Sequence, residues 1–279
     1  MKLLQSYVDN IITTALSEDI NYIDVTTDYL IDDNSVSEAY YIAKDNGVLC
    51  GIEIAKRVFE ILDESIVFDI KINDGEEVRK GDIIAEMKGS TKNLLKGERT
   101  ALNLLQHLSG IASATNRCVK LVEGTNARIT DTRKTLPGLR ALQKYAVTVG
   151  GGKNHRFNLS DGAMLKDNHI DAGGGITKAI TALREKIGHM VKIEVEVRNL
   201  DELKEALDAK ADIIMLDNMS YADMKKAVEI TDGRALLEAS GNVTEENIRE
   251  TAETGVDIIS LGALTHSVKC FDISMRIRK

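Results

Sequence analysis

Residues 191–217 read VKIEVEVRNLDELKEALDAKADIIMLD, and the grammar of that stretch decides the fold. A short apolar run rich in β-branched residues gives way to an amphipathic segment and then to a second apolar run. Strand, helix, strand is the reading that suits these periods and lengths. The pattern recurs in RALLEAS (234–240) and VDIISLG (256–262), with YADMKKAVEI and TEENIRETAET as the intervening helices. Glu196, Asp217 and Glu238 follow one another at intervals of 21 residues, and Ser260 comes 22 later. Units of that size with a helix in each connection imply parallel strands, in a barrel or an open sheet. Polar groups close successive strands: Glu196, Asp217, Glu238 with Ser240, and Ser260 with Gly262. Barrels gather chemistry from several strand ends onto one face, so the barrel is the better reading. RIT before Asp131 and AMLK before Asp167 supply two earlier strands.

Upstream lies a cationic island, residues 129–170. It holds Arg133, Lys134, Arg140, Lys144, Lys153, His155, Arg156 and Lys166, together with Gly150-Gly151-Gly152 and the only proline, Pro137. The whole chain carries a net charge of −8, so a basic cluster here implies a pocket for a multiply charged anion. That acidic balance, with 4% aromatic residues, argues against a nucleic-acid surface. No apolar run is long enough to cross a bilayer, and the N-terminus lacks the apolar core of a signal peptide. Cys50, Cys118 and Cys270 are isolated and odd in number, which fits a reduced cytoplasm with the thiols as buried small hydrophobes.

The first part of the chain has a different texture. Residues 3–17 and 52–63 have helical spacing, and between and after them come the short runs YYIAK, GVLCG, SIVFDIKI and DIIAEMK. The run DGEEVRKGDIIAEMKG (74–89) resembles the hammerhead of biotinyl and lipoyl carriers, with Lys88 near the place of their modified lysine. The methionine usual after that lysine is missing, so the expectation is a mixed α/β sandwich without a covalent cofactor. Residues 97–123 read as a helix starting after Gly97 and interrupted at Ser109-Gly110. Taken alone, Arg99 reads as a surface ion-pair partner and His107 as a capped or solvated helix residue.

Two acids at matched strand ends, Glu196 and Asp217, suit Mg²⁺ held with waters and substrate oxygens. Ser240-Gly241-Asn242, ahead of a helix expected at Thr244, and Gly262-Ala263 offer backbone N–H groups to phosphate. His266 stands one short turn beyond. Arg133, Lys134, His155, Arg156 and Lys166 would face them as a wall for a carboxylate-bearing substrate. An alternative makes Lys166 a Schiff-base nucleophile whose pKa its basic neighbours lower.

Several long motifs in register carry a resemblance: ERTALNLLQHLSGIAS, DTRKTLPGLR, GGGKNHRFNLSDGAMLKDNHI, IEVEV, IIMLDN, EASGNV and SLGALTHS. In these the chain resembles, over essentially its whole length, the decarboxylating quinolinate phosphoribosyltransferases, or nicotinate-nucleotide pyrophosphorylases. One departure is IDVTT (23–27), where the family often has glycine before the aspartate. The resemblance implies an N-terminal α/β sandwich (1–110, with 270–279 returning to it) and an open α/β barrel (111–269). It implies a cytoplasmic enzyme of NAD synthesis that converts quinolinate and phosphoribosyl pyrophosphate to nicotinate mononucleotide, pyrophosphate and CO₂. A homodimer or larger homo-oligomer is implied, with Arg99 reaching the neighbour's quinolinate. Thr132, Arg133, Lys134, His155, Arg156 and Lys166 correspond to the quinolinate pocket. Glu196, Asp217, Ser240, Gly241, Asn242, Gly262 and Ala263, with His266 beside them, correspond to the phosphoribosyl pyrophosphate and Mg²⁺ region. Lys134, Lys166, Glu196 and Asp217 are the catalytic candidates. The nearest rival is a related phosphoribosyltransferase-fold protein found with molybdate transport.

Overall fold

The computed structural model describes residues 2–278. Its contacts form two compact units. One comprises residues up to Asn116, Thr135–Gly151 and the chain from Leu264, and the other Arg117–Lys134 with Gly152–Ala263. In chain order the elements begin with α1 (Gln5–Asp19), α2 (Val25–Leu30), β1 (Val36–Ala43), β2 (Gly47–Val48), α3 (Ile52–Leu62), β3 (Val67–Ile70), β4 (Glu77–Val78) and β5 (Ile83–Ser90). Next are α4 (Thr91–Leu121), β6 (Arg128–Thr130), α5 (Arg140–Val149), β7 (Ala163–Leu165), α6 (Asp167–Gly173), α7 (Ile176–Arg184), β8 (Ile193–Val197) and α8 (Leu200–Asp208). The last are β9 (Ile213–Asp217), α9 (Tyr221–Thr231), β10 (Leu236–Ser240), α10 (Ile248–Ala252), β11 (Ile258–Ser260), α11 (Ala263–His266) and β12 (Ile273–Ile277).

The first unit is built on an antiparallel sheet in the order β12-β1-β5-β3, with β2 and β4 pairing separately. Tyr41 and Phe59 are fully buried in its core against the half-buried Phe68, and the three ring centroids lie 5.8–6.5 Å apart. The apolar stripe of α3 is buried, and Asp74 Oδ1 accepts the Gly51 and Ile52 N–H groups at the start of that helix. Asp24 caps α2 by accepting from Thr26 and Thr27, so the turn at IDVTT closes without a preceding glycine.

Three readings of this unit are corrected, those of helix α4, His107 and Cys270. Helix α4 starts at Thr91 and runs unbroken through Gly97, Ser109 and Gly110. Those small residues mark close packing: a Cβ at Gly97 would lie 2.6 Å from the Phe59 ring, and one at Gly110 would collide with the Lys269 carbonyl. Ser109 and Ser113 accept the N–H groups of Cys50 and Val48 at 3.0 and 2.9 Å. Lys88 lies inside β5, opposite Glu38 on one side and Val67 on the other, and pairs with Glu38. A carrier lysine needs the tip of a turn, so the carrier reading falls. His107 is half-buried, 2.9 Å from Gln143 Nε2, and burial lowers its pKa. Among the cysteines, Cys50 and Cys118 are buried but Cys270 is exposed.

The second unit is a six-stranded sheet in the order β6-β11-β10-β9-β8-β7. Its pairings are all parallel, and β6 and β7 do not pair with each other, which gives the open α/β barrel. Alternate residues divide between two faces. Ile193, Val195, Val197, Ile214, Leu216, Leu237, Ala239 and Ile259 are buried. The larger of these contribute roughly 1.5–3 kcal/mol apiece to the packing. The intervening positions, Glu194, Glu196, Met215, Asp217, Glu238, Ser240 and Ser260, turn to the interior. At the strand starts, Asp212 and Asp257 accept the N–H groups of Ile193 and Leu237, each at 2.8 Å, and latch neighbouring strands in register.

Candidate active site

The second unit encloses a cavity of about 570 Å³. It is lined by Thr132, Arg133, Lys134, His155, Arg156, Met164, Lys166, Glu196, Met215, Asp217, Asn218, Glu238, Ser240, Gly241, Asn242 and Ser260. Eleven of the expected site residues therefore meet around one space. Four do not line it: Gly262 and Ala263, which follow β11, and Arg99 and His266, which belong to the first unit. Arg99 is exposed on α4, and His266 Nδ1 lies 2.7 Å from Ser267 Oγ. The cationic island is also divided: Arg140 and Lys144 sit on α5 in the first unit, with Lys144 fully buried. Its glycines are structural. A Cβ at Gly150 would collide with the Ala112 carbonyl, and Gly151 has φ +94°.

The cationic wall is positioned by Asp131, a fully buried acid just after β6. Asp131 Oδ1 accepts the His155 N–H at 2.9 Å, and Oδ2 accepts Asn154 Nδ2 at 2.6 Å. The loop carrying His155 and Arg156 is thereby pinned beside β6. Arg156 Nη1 donates to the Gly162 carbonyl at 2.8 Å; burial and the charge of Arg133 lower its pKa. Two like charges held so close are stabilised by an anion between them. Lys166 Nζ is 2.8 Å from Glu196 Oε2, an ion pair rather than the desolvated, unpaired amine that a Schiff-base lysine requires.

The opposite wall depends on Asn218. Gly241 and Asn242 have φ of +93° and +50°, and a Cβ on Gly241 would collide with the Asn218 side chain. Asn218 Oδ1 accepts Asn242 Nδ2, and Asn218 Nδ2 donates to Asp217 Oδ1, both at 3.0 Å. One side chain thus ties the glycine loop to the acid of the neighbouring strand. The helix expected at Thr244 begins only at Ile248, because the Asn247 side chain bonds Thr244 N and the Asn242 carbonyl and holds a turn there. Backbone N–H groups of the loop, not a helix start at Thr244, are what this wall offers to phosphate. Glu196 and Asp217, at the ends of the adjacent strands β8 and β9, bring hard oxygen donors into a cavity wide enough for water and substrate oxygens. That donor set fits Mg²⁺.

The spacing argument missed a difference in depth. Asp217 pairs in register with Ser240, whereas Glu196 and Glu238 are both level with Met215. Glu238 is 1% exposed, and Glu194, absent from the expected site, is 4% exposed. Between them stands His155, whose Nε2 is 3.0 Å from Glu194 Oε2 and 3.6 Å from Glu238 Oε2. Burial first, and then the charge of Glu194, push the Glu238 pKa up to about 7. His155, a hydrogen bond with Ser260, and Lys166 act the other way. The alternation of IEVEV was the available signal for Glu194, since i and i+2 on one strand share a face.

Comparison with known proteins accords with this geometry. Residues 24–109 match the quinolinate phosphoribosyl transferase N-terminal domain, and residues 111–276 match its C-terminal domain. A probable nicotinate-nucleotide pyrophosphorylase [carboxylating] of Bacillus subtilis is 46% identical over 93% of this chain and 90% of its own length. A quinolinate phosphoribosyltransferase [decarboxylating] of Nicotiana tabacum is 42% identical over 94% of this chain and 80% of its own. The crystal structure of NadC from Streptococcus pyogenes superposes with a TM-score of 0.96 at 42% identity, covering 100% of this chain and 99% of that one. The chain belongs to the quinolinate phosphoribosyl transferase family.

Proposed function

We propose that the protein transfers the phosphoribosyl group of phosphoribosyl pyrophosphate to quinolinate with decarboxylation, giving nicotinate mononucleotide, pyrophosphate and CO₂ for NAD synthesis. The observation that carries this reading is one cavity with a cationic wall on one side and an acidic, glycine-lined wall on the other. Arg133, Lys134, His155, Arg156 and Lys166, with Thr132 beside them, orient the two carboxylates of quinolinate, the arginines through their planar forks. Ser240, Gly241 and Asn242 hold the phosphate end through loop N–H groups. Glu196 and Asp217 hold Mg²⁺, directly or through water. When bound, Mg²⁺ offsets the charge of the departing pyrophosphate.

With both substrates in place, the pyridine nitrogen attacks the anomeric carbon and pyrophosphate leaves. The carboxylates of Glu196 and Asp217 favour the positive charge that develops on the ribosyl ring. Lys166, paired with Glu196, links the two walls electrostatically, and Lys134 adds charge where the dicarboxylate docks. The product is a pyridinium whose positive nitrogen can accept electrons as the 2-carboxylate departs. Gly262 and Ala263 belong to the phosphate end in this reading. Arg99, exposed on α4, reaches the quinolinate of a second subunit in a homodimer. No helix of the described residues is long and apolar enough to cross a membrane. With three free cysteines, that fits a cytoplasmic enzyme.

Incubation with quinolinate, phosphoribosyl pyrophosphate and Mg²⁺ should yield nicotinate mononucleotide. A purified, folded chain that forms none would refute the reading and favour the rival from molybdate transport. Shared sites have their own test, mixing inactive Arg99→Ala and Lys166→Ala subunits. Verified mixed dimers should regain activity, and dimers that stay inactive would count against an Arg99 supplied by the neighbour.

A further inference from the structure

A second cavity, of about 360 Å³, lies at the other end of the barrel interior, where Ala163, Ile213 and Ile258 open β7, β9 and β11. His155 and Glu238 border both this cavity and the one at the mouth. Three buried polar atoms on residues around the lower cavity have no hydrogen-bond partner: Glu238 Oε1, Glu194 Oε1 and Thr130 Oγ1. Buried polar groups of that kind around a polar space of this size mark a place for ordered water. On the side toward the mouth, Glu238 shares a hydrogen bond with Ser260, whose Oγ is 3.2 Å from Ser240 Oγ.

His155, Glu194 and Glu238 bring their donor atoms close enough together to suggest a metal site. The tautomer argues otherwise. His155 Nδ1 accepts the backbone N–H of Arg156 at 2.8 Å, which places the ring proton on Nε2, aimed at Glu194 Oε2. That nitrogen is a hydrogen-bond donor, and the cluster is organised around protons.

We propose that Glu238 is the acid that protonates the pyridine C2 as the 2-carboxylate leaves, and that water in the lower cavity resupplies its proton. This rests on the function proposed above, where the substrate occupies the mouth. The bond between C2 and the carboxylate carbon breaks, CO₂ departs, and the electron pair stays on C2 beside the positive ring nitrogen. That pair takes the proton of the Glu238 carboxyl as it forms, in the same step as the cleavage, so the rate of CO₂ release depends on the acid. The carboxylate left behind is reprotonated from the lower cavity, so the net step consumes one proton and releases one CO₂. A carboxyl that keeps its proton close to neutral pH suits the task, and burial beside Glu194 provides it. The groups facing it are Glu194 from β8, His155 from the loop pinned by Asp131, Ser260 from β11 and Lys166 beyond β7. Only Glu194 among them opposes ionisation.

The test is a single turnover with excess enzyme, following pyrophosphate and CO₂ separately in wild type, Glu238→Gln and Glu238→Asp. Glu238→Gln should release pyrophosphate within about twofold of wild type but lose CO₂ release by roughly 100-fold, the scale of general-acid catalysis. The dicarboxylated nucleotide should accumulate, and Glu238→Asp should restore part of the second step. In wild type, the decarboxylation rate should fall as pH rises through about 7, the value near which Glu238 loses its proton. Equal loss of both steps in a folded Glu238→Gln protein, or loss of neither, would overturn the proposal. A wild-type decarboxylation rate independent of pH would also overturn it, even if the glutamine variant fails to fold. A wild-type chain that makes no nucleotide would refute the underlying function instead.

Discussion

The mouth and the floor of the barrel cavity are built from the same strands, yet they treat identical residues differently. Glu196, near the mouth, is paired with Lys166 at 2.8 Å, and its side chain is 16% exposed. Glu194, two residues earlier on the same face of β8, is 5% exposed at the side chain and keeps an oxygen without a partner. One step along a strand thus separates a solvated ion pair from a buried acid whose charge suppresses ionisation of its neighbour Glu238. Burial and the charge of the nearest partner, not residue type, decide whether a carboxylate here binds charge or stores a proton.

The largest expected effect lies at the mouth. Arg133→Ala should raise the KM for quinolinate by roughly 10- to 100-fold, from the loss of charge-assisted hydrogen bonds worth about 1.5–3 kcal/mol. The KM for phosphoribosyl pyrophosphate should move far less; equal increases would erase the distinction between the two walls. Gly241→Ala comes next. It forces a side chain into a left-handed backbone against Asn218, a strain of about 1–3 kcal/mol. The phosphoribosyl pyrophosphate KM should rise several-fold with a lower melting temperature, and an unchanged KM would detach the loop from the phosphate.

The floor has a signature in stability. The Glu238 pKa is raised in the folded state, from 4.5 to about 7. A carboxyl shifted upward stabilises the fold fully below its unfolded pKa, and that contribution is lost as pH rises through the folded value. The melting temperature of Glu238→Gln should therefore fall less than that of wild type between about pH 4.5 and 7. Parallel profiles would remove the buried acid from the comparison. The smallest effect is expected from Lys88→Gln. Its ion pair with Glu38 is exposed on both sides, so a stability change of about 0.5 kcal/mol or less and unaltered activity should follow. A large loss in either would reopen the role of that strand.

The mouth was legible in the sequence because its evidence is local. Charged residues at the ends of period-two apolar runs announce strand termini that share a face. The floor was not, because depth follows from register between strands. Asp217 and Glu238 hold equivalent positions by spacing, yet Asp217 sits beside Ser240 and Glu238 two residues deeper. Asn218 entered the sequence reading only as the last residue of the IIMLDN motif, and only the fold shows it bracing Gly241. The glycines and serines of α4 misled for the converse reason. They read as breaks, but close approach of neighbouring chain requires them inside a continuous helix.

The most direct test of the account is a product balance in one reaction, with pyrophosphate, CO₂ and nicotinate mononucleotide followed together from labelled quinolinate and phosphoribosyl pyrophosphate in the presence of Mg²⁺. The account predicts the three in equal amounts, and a loss of all three when either substrate is omitted. Pyrophosphate released without the nucleotide, or CO₂ released without phosphoribosyl pyrophosphate, would contradict it.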